Sequence, residues 1–216
     1  HKQRSYNGAL MEFLNKKVVL CISPHPDDTE YSMMGTIAQF TDTKFICLNL
    51  AIGGHLDDTT SIKRIEEVDN VWKEMNCNNV ENVYIDEAQY MEDLKEEEWI
   101  SLIEKQMVKY NVDAIVLPSE CDSHFEHRYV SGFGKALIRS KPASLIQYKT
   151  PSTDQEWIPN LFVDISDVYD KKVSALRNFT SQTDRYYFRN NVLMAFHTDF
   201  QCAKNGIPMV EQFKVV

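Results

Sequence analysis

Along most of the chain, short runs that are apolar at nearly every position alternate with longer stretches whose apolar positions recur every three or four residues. Lys17–Ser23 reads Lys-Val-Val-Leu-Cys-Ile-Ser, and Lys44–Ala51 carries Phe45, Ile46, Leu48 and Leu50. Runs of this kind belong to strands covered on both faces. Val83–Ile85, Ala114–Leu117 (stopped by Pro118), Leu145–Tyr148 and Leu161–Val163 read as further strands. The segments between them have the helical period. Glu30–Phe40 follows the first strand. Ser61–Met75 sets Ile62, Ile65, Val68, Trp72 and Met75 along one stripe. Leu94–Tyr110 does the same with Trp99, Ile100, Ile103, Met107 and Tyr110, and its first turn is acidic, as the helix dipole favours. Tyr129–Ser140, Asp167–Phe179 and Tyr187–Phe196 are further predicted helices.

Strands alternating with helices predict an α/β fold: a Rossmann-like, mostly parallel sheet flanked by helices on both faces, a three-layer sandwich. Ligands of such sheets bind beyond the carboxyl ends of the strands. Chemistry is therefore expected just after Ser23, Ala51 and Leu117. Pro151–Pro159 reads as an irregular excursion between the last two of these strands.

Length and charge narrow the reading. The 216 residues fit a single domain over 1–216. The chain begins at His1, so residues 1–11 read as a processed or engineered end. The net charge is −9 without a basic patch, which disfavours nucleic acid and anionic membranes as partners. No apolar run is long enough for a transmembrane segment. Cys21, Cys47, Cys77, Cys121 and Cys202 are odd in number and form no C-x-x-C, so reduced thiols and a cytoplasmic setting are expected. A homo-oligomer is compatible with all of this.

The first predicted strand runs into Pro24-His25-Pro26-Asp27-Asp28-Thr29-Glu30. Five specified residues at ordinary usage match by chance on the order of once in 10⁴ chains of this size. Two prolines stiffen the loop and remove backbone donors, so His25 and Asp28 can both aim at one ion. Imidazole with carboxylate suits Zn²⁺, and a catalytic zinc site takes three protein ligands and leaves one position open. A third ligand is expected from Asp122-Ser123-His124-Phe125-Glu126-His127, after the fourth strand. The plainer reading makes Asp27 or Asp28 a helix cap and His124 and His127 surface histidines. Finding both clusters at strand ends of one sheet favours the site.

These residues resemble the PIG-L/LmbE-like zinc deacetylases. Residues 24–30 look like that family's first motif, and His124-Phe125-Glu126-His127 looks like its second, usually His-x-Asp-His. Arg64-Ile65-Glu66-Glu67, Val163-Asp164-Ile165, Ser181-Gln182 and Val210-Glu211-Gln212-Phe213 resemble weaker family segments. Glu126 departs from the usual Asp, and Gly53-Gly54-His55 lacks an acidic residue often found there. The resemblance implies Zn²⁺ (or another divalent ion) on His25, Asp28 and His127, with Asp27 as general base. It implies His124, as imidazolium, against the oxyanion, with Glu126 orienting it. Arg64 would bind sugar hydroxyls or a phosphate. From its place in the loop after the second strand, His55 reads either as a substrate contact at the pocket rim or as a solvated loop histidine. The implied reaction removes the N-acetyl group from an N-acetylglucosamine-type amino sugar or glycoside. The alternatives are an amidase of a larger amide at the same metal centre, and a metal- or carbohydrate-binding relative without turnover.

Other readings are structural. Arg64 could pair with Glu66 or Glu67 at helical spacing. His197 reads as a packed histidine. Arg185-Tyr186-Tyr187-Phe188-Arg189 could line a sugar site, but Tyr186 and Phe188 read rather as core.

Overall fold

The computed structural model describes residues 16–53, 59–141 and 143–216. His55 and Gly54 therefore lie outside the described residues, as do residues 1–15. Among the described residues the strands are β1 (Val18–Ser23), β2 (Lys44–Asn49), β3 (Val80–Tyr84), β4 (Ala114–Pro118), β5 (Ser144–Tyr148), β6 (Leu161–Asp164) and β7 (Val210–Val215). The helices are α1 (Asp28–Gln39), α2 (Thr59–Met75), α3 (Glu96–Tyr110), α4 (Phe125–Ser140), α5 (Tyr169–Leu176), α6 (Asn190–Phe196) and α7 (Phe200–Lys204).

The strands form one seven-stranded sheet in the order β3-β2-β1-β4-β5-β7-β6. All pairings are parallel except those of β7, which is antiparallel to both β5 and β6. Alternation along each strand feeds two cores. Val19, Cys21, Phe45, Cys47, Ala114 and Val116 face α1, α2 and α5 through Met33, Ile37, Trp72 and Leu176. Leu20, Ile22, Ile46, Leu48, Ile115 and Leu117 face α3 and α4 through Trp99, Ile103, Phe133 and Leu137. Each Val, Leu, Ile, Phe or Met side chain among them, fully removed from water, contributes about 1.5–3 kcal/mol. The mostly parallel three-layer α/β fold is as the sequence predicts. Among the described residues no helix is long and apolar enough to cross a membrane, and the five cysteines are free thiols.

The differences from the predicted elements are informative. Strand β7 is not among the predicted strands, because Glu211 and Gln212 interrupt its apolar run. Both are buried. Helix α4 begins at Phe125 rather than Tyr129, and α1 at Asp28 rather than Glu30, so both polar clusters reach into first turns of helices. The predicted helix over 187–196 splits into a 3₁₀ turn, Tyr186–Phe188, and the shorter α6.

Glu211 explains how β7 is held. Its carboxylate accepts from the backbone N–H groups of Gly35 (2.8 Å) and Thr36 (2.6 Å) in the middle of α1 and from Lys172 Nζ (2.6 Å). Lys172 also donates to the Tyr31 carbonyl, 2.5 Å away, and lies 2.8 Å from His197 Nε2. Burial lowers the Lys172 pKa, with Glu211 opposing the shift; burial and then the Lys172 charge hold His197 well below its usual value. His197 is thus the packed histidine the sequence suggests. A Cβ on Gly35 would sit 2.8 Å from Ile165 Cγ2 and 3.0 Å from Glu211 Oε1, so only glycine fits there.

The strand order sets the position of the site. From β1 the chain moves outward to β2 and β3, then returns to lay β4 on the other flank of β1. Crossovers leaving in opposite directions open a crevice at the carboxyl ends of β1 and β4.

Glu211→Ala leaves Lys172 buried without its counter-charge and is expected to cost about 3–5 kcal/mol in urea denaturation. Lys214→Ala, in the exposed pair with Glu120, should cost under about 1 kcal/mol. Equal losses for the two would contradict this assignment.

Candidate active site

The loop after β1 is held by its own polar groups. Ser23 Oγ donates to the His25 carbonyl at 2.7 Å and accepts from Thr29 N–H at 3.2 Å. Asp28 accepts the His25 backbone N–H at 3.0 Å. Between them Asp27 has φ 120° and ψ −27°, in the region that favours glycine, and its side chain makes no capping hydrogen bond. A non-glycine residue held there costs about 1–3 kcal/mol, and such strain gathers at functional sites. The helix-cap reading of Asp27 is therefore corrected.

The second cluster is built on Asp122, which is fully buried. One of its oxygens accepts the His124 backbone N–H at 2.8 Å. The other lies 3.1 Å from His127 Nδ1 and 2.5 Å from Thr150 Oγ1. Thr150, Ser152 and Thr153 come from the excursion after β5. Ser152 Oγ is 3.3 Å from His127 Nδ1, and Thr153 bridges to Asp122 in the backbone. With Nδ1 engaged, His127 presents Nε2 toward Asp28, at 3.3 Å.

The two clusters meet over the β1–β4 crevice. His25 Nδ1 lies 3.3 Å from Asp28, and its Nε2 lies 2.6 Å from Glu126. Glu126 is 3.8 Å from His124 Nε2, and the rings of His124 and His127 stack at 4.6 Å. Among the described residues two groups could hold a metal ion: His25, Asp28 and His127, and His25, His124 and Glu126. In each, the ligand atoms lie within 4.8 Å of one another. The first group is the more buried, and its His127 has the carboxylate-backed second nitrogen common to metal-ligating histidines. Two imidazoles and a carboxylate suit a borderline divalent ion.

Charge in the site is strongly coupled. Burial alone would lower His25, but hydrogen bonds and charge from Asp28 and Glu126 raise its pKa to about 9. His127 is likewise opposed by burial, yet Asp28 and Asp122 raise it to about 10. Burial would raise Asp28, but the His127 charge and the bonds from both histidines take it far below the usual carboxylate range. Asp27 goes the other way: burial and then the Asp28 charge raise it well above that range. Burial and the charges of His127 and His25 lower the His124 pKa.

Around these groups is a cavity of about 290 Å³. His25, Asp27, Asp28, His124 and His127 line it together with Arg64, Gln182, Arg185, Tyr186 and Tyr187. Arg64 makes no ion pair among the described residues. Its Nη1 donates to the Ile52 carbonyl at 2.7 Å, and a Cβ on Gly53 would sit 2.8 Å from that atom. The alternative pairing of Arg64 with Glu66 or Glu67 is thus not formed among the described residues. Glu67 instead accepts from Thr180 Oγ1 (2.7 Å), Ser181 N–H (2.8 Å) and Ser181 Oγ (2.6 Å). Tyr186 is 57% exposed and lines the cavity, contrary to the core reading, whereas Phe188 does pack against the core. Sequence reasoning gave no role to Thr150, placed Asp122 only within the cluster of ligand candidates, and read Glu67 only as a partner for Arg64. The available signal for Asp122 was its position five residues before His127.

Residues 20–138, more than half of the chain, match the family described as PIG-L, GlcNAc-PI de-N-acetylase. Among curated proteins, the chain is 26% identical to the uncharacterized deacetylase YaiS of Escherichia coli K12, covering 81% of this chain and 97% of that one. It is also 26% identical to the diacetylchitobiose deacetylase of Thermococcus kodakarensis, covering 79% and 72%. Among solved structures, GalB, the 4-carboxy-2-hydroxymuconate hydratase of Pseudomonas putida KT2440, superposes with a TM-score of 0.75 at 16% identity, covering 93% and 96%, a likeness of fold alone. The two site clusters and most of the sheet that carries them fall within the matched residues, and the chain belongs to the PIG-L family.

Proposed function

We propose that the protein is a metal-dependent N-deacetylase that hydrolyses the acetamide of an N-acetylglucosamine-type amino sugar or glycoside. The observation that carries this reading is Asp27: a strained, uncapped carboxylate facing the cavity beside a His-Asp-His donor set. The family match and the deacetylase relatives, one of them acting on diacetylchitobiose by its name, support it.

His25, Asp28 and His127 would hold the ion, and Zn²⁺ fits their chemistry. Such an ion, when bound, polarises an amide carbonyl and acidifies the attacking water. Asp27 takes a proton from that water as the new C–O bond forms. It then returns the proton to the sugar nitrogen as the C–N bond breaks, releasing acetate and the free amine. A pKa raised above the usual carboxylate range by burial and the Asp28 charge suits a base that must also return the proton as an acid. His124 donates a ring N–H to the carbonyl oxygen as negative charge grows there. The N-termini of α1 and α4 both open onto the site and favour that charge. Glu126 holds His25 and lies beside His124. Arg64, seated on the Ile52 carbonyl, has donors left for sugar hydroxyls. Tyr186 offers a ring face to the sugar. Ligand cavities run from about 300 Å³ upward, so this one, at about 290 Å³, suits one sugar ring with its acetamide.

Asp27→Ala should keep the full metal content and lower kcat by about 10²–10⁴-fold, whereas His127→Ala should lose the metal. Near-normal acetate release from Asp27→Ala would contradict the base assignment. Asp27→Gly should also relieve the strained backbone, raising the stability of the metal-free protein by about 1 kcal/mol while turnover is lost; a stability loss would contradict the strain argument. Both His25, at about 9, and His127, at about 10, are protonated in the metal-free protein at neutral pH. Imidazole must be neutral to bind an ion, so uptake at pH 7 should release about two protons and weaken as pH falls. Calorimetry in buffers of different ionisation enthalpy reads this directly, and uptake without proton release would contradict it.

A further inference from the structure

The resemblance in sequence gives Glu126 to His124, but the structure sets it against His25. Glu126 Oε2 lies 2.6 Å from His25 Nε2 and 3.8 Å from His124 Nε2, and the second distance is too long for a hydrogen bond. His25 belongs to the loop after β1 and Glu126 to the first turn of α4, so the contact spans the crevice. Glutamate has one methylene more than aspartate, about 1.5 Å of added reach. The other ring nitrogen of His25, Nδ1, lies 3.3 Å from Asp28 Oδ2, and Asp28 Oδ1 lies 3.3 Å from His127 Nε2. On the far side of its own ring, His127 Nδ1 lies 3.1 Å from the buried Asp122. The two histidines are therefore built alike: each turns one nitrogen toward Asp28 and has a carboxylate on the other. His124 is held in a different way. Its ring stacks on Phe125 at 5.8 Å and 15°, and on His127 at 4.6 Å and 20°.

We propose that Glu126 is a positioning residue for the metal ion rather than a partner of His124. It accepts a hydrogen bond from Nε2–H of His25, holds the tautomer that leaves Nδ1 for the ion, and slows the ion's release. This rests on the metal-dependent reading of the site and not on the identity of the substrate. A carboxylate on the distal nitrogen fixes the plane of a metal-binding imidazole and makes it a stronger donor. A short hydrogen bond to an ionised acceptor is of the stronger kind. With 14% of its side chain exposed, Glu126 is largely removed from competing water. Asp122 does the same for His127, so the two carboxylates hold the ligand pair from opposite ends. The stacked rings of Phe125 and His127 fix the plane of His124 without help from Glu126.

The test loads the full chain with one equivalent of zinc and follows its transfer to an excess of chelator. Release is read rather than uptake, because protons compete for the histidines only in the metal-free protein. Glu126→Ala should release zinc about 10–100-fold faster than the wild type, the usual cost of losing such a carboxylate. Glu126→Gln keeps the length and an acceptor oxygen and should recover part of the difference. Glu126→Asp, one methylene shorter, should behave like Glu126→Ala. Nitrogen-15 NMR of the zinc-loaded wild type should show His25 bound through Nδ1 and protonated at Nε2, and His127 the reverse. With zinc saturating, kcat for an N-acetylated amino sugar should change far less than the release rate. Unchanged release from Glu126→Ala overturns the proposal, and a large fall in kcat alongside it would place Glu126 on His124 instead. Zinc on His25 Nε2 overturns it as well. Wild-type protein that takes up no zinc overturns the metal-dependent reading and this proposal with it. Normal zinc uptake without acetate release overturns only the deacetylase reading, and the release rates still decide the role of Glu126.

Discussion

The carboxylate of Asp28 joins two parts of the chain that are nearly a hundred residues apart. It accepts the backbone N–H of His25, lies 3.3 Å from the His25 ring and lies 3.3 Å from the ring of His127. It shares that task with the contact of His25 Nε2 with Glu126 at 2.6 Å, the other link between the loop after β1 and the first turn of α4. The coupling is electrostatic, and each partner shifts the other: the histidines rise, and Asp28 falls. A site so rich in carboxylate around two imidazoles is set up for a cation, whether protons or a divalent ion.

The rest of the architecture serves that junction from behind. Asp28 begins α1, and α1 is clamped at its middle by Glu211 and Lys172, which bond Gly35, Thr36 and the Tyr31 carbonyl. The carbonyl of Tyr31 is the one that Gly35 N–H would reach in an undisturbed helix ladder. The ion pair therefore sits at one turn of the helix and ties it to α5 and β7. The far side of the same Tyr31 holds the turn that carries Arg185 and Tyr186. A single helix thus relates the chemical loop, the buried ion pair and the turn that brings Arg185 and Tyr186 to the cavity. Strain at Asp27 is sustained because the backbone on both sides of it is fixed, by Ser23 and His25 before it and by the clamped helix after it.

Much of this was legible in the sequence, for physical reasons. Strands buried on both faces must be apolar throughout, so β1, β2 and β4 were plain. The position of the chemistry followed from the strand ends. Pro-His-Pro-Asp-Asp was conspicuous because prolines and charged residues rarely follow a buried strand in that density. What was not legible depended on tertiary partners. Glu211 and Gln212 look like surface residues until Gly35, Thr36 and Lys172 are placed against them, and so β7 was missed as a strand. Asp122 is one more acidic residue in a polar run until the fold buries it under Thr150 and His127. Tyr186 and Phe188, two residues apart on a 3₁₀ turn, divide between cavity and core, which no helical or strand period foretells. Arg64 and Glu67, one helical turn apart, look like an ion pair, yet one faces the cavity and the other anchors a distant loop.

The assignment of the ion to His25, Asp28 and His127, with Asp27 left free, is the point on which the account turns, because His25 is shared with a second candidate group that includes His124 and Glu126. Anomalous diffraction at the zinc edge from crystals of the zinc-loaded protein separates the two. The account predicts one strong peak about 2.0–2.2 Å from a ring nitrogen of His25, an oxygen of Asp28 and Nε2 of His127, with neither Asp27 oxygen in that range. A peak held by His25, His124 and Glu126, or one with Asp27 among its ligands, would contradict it.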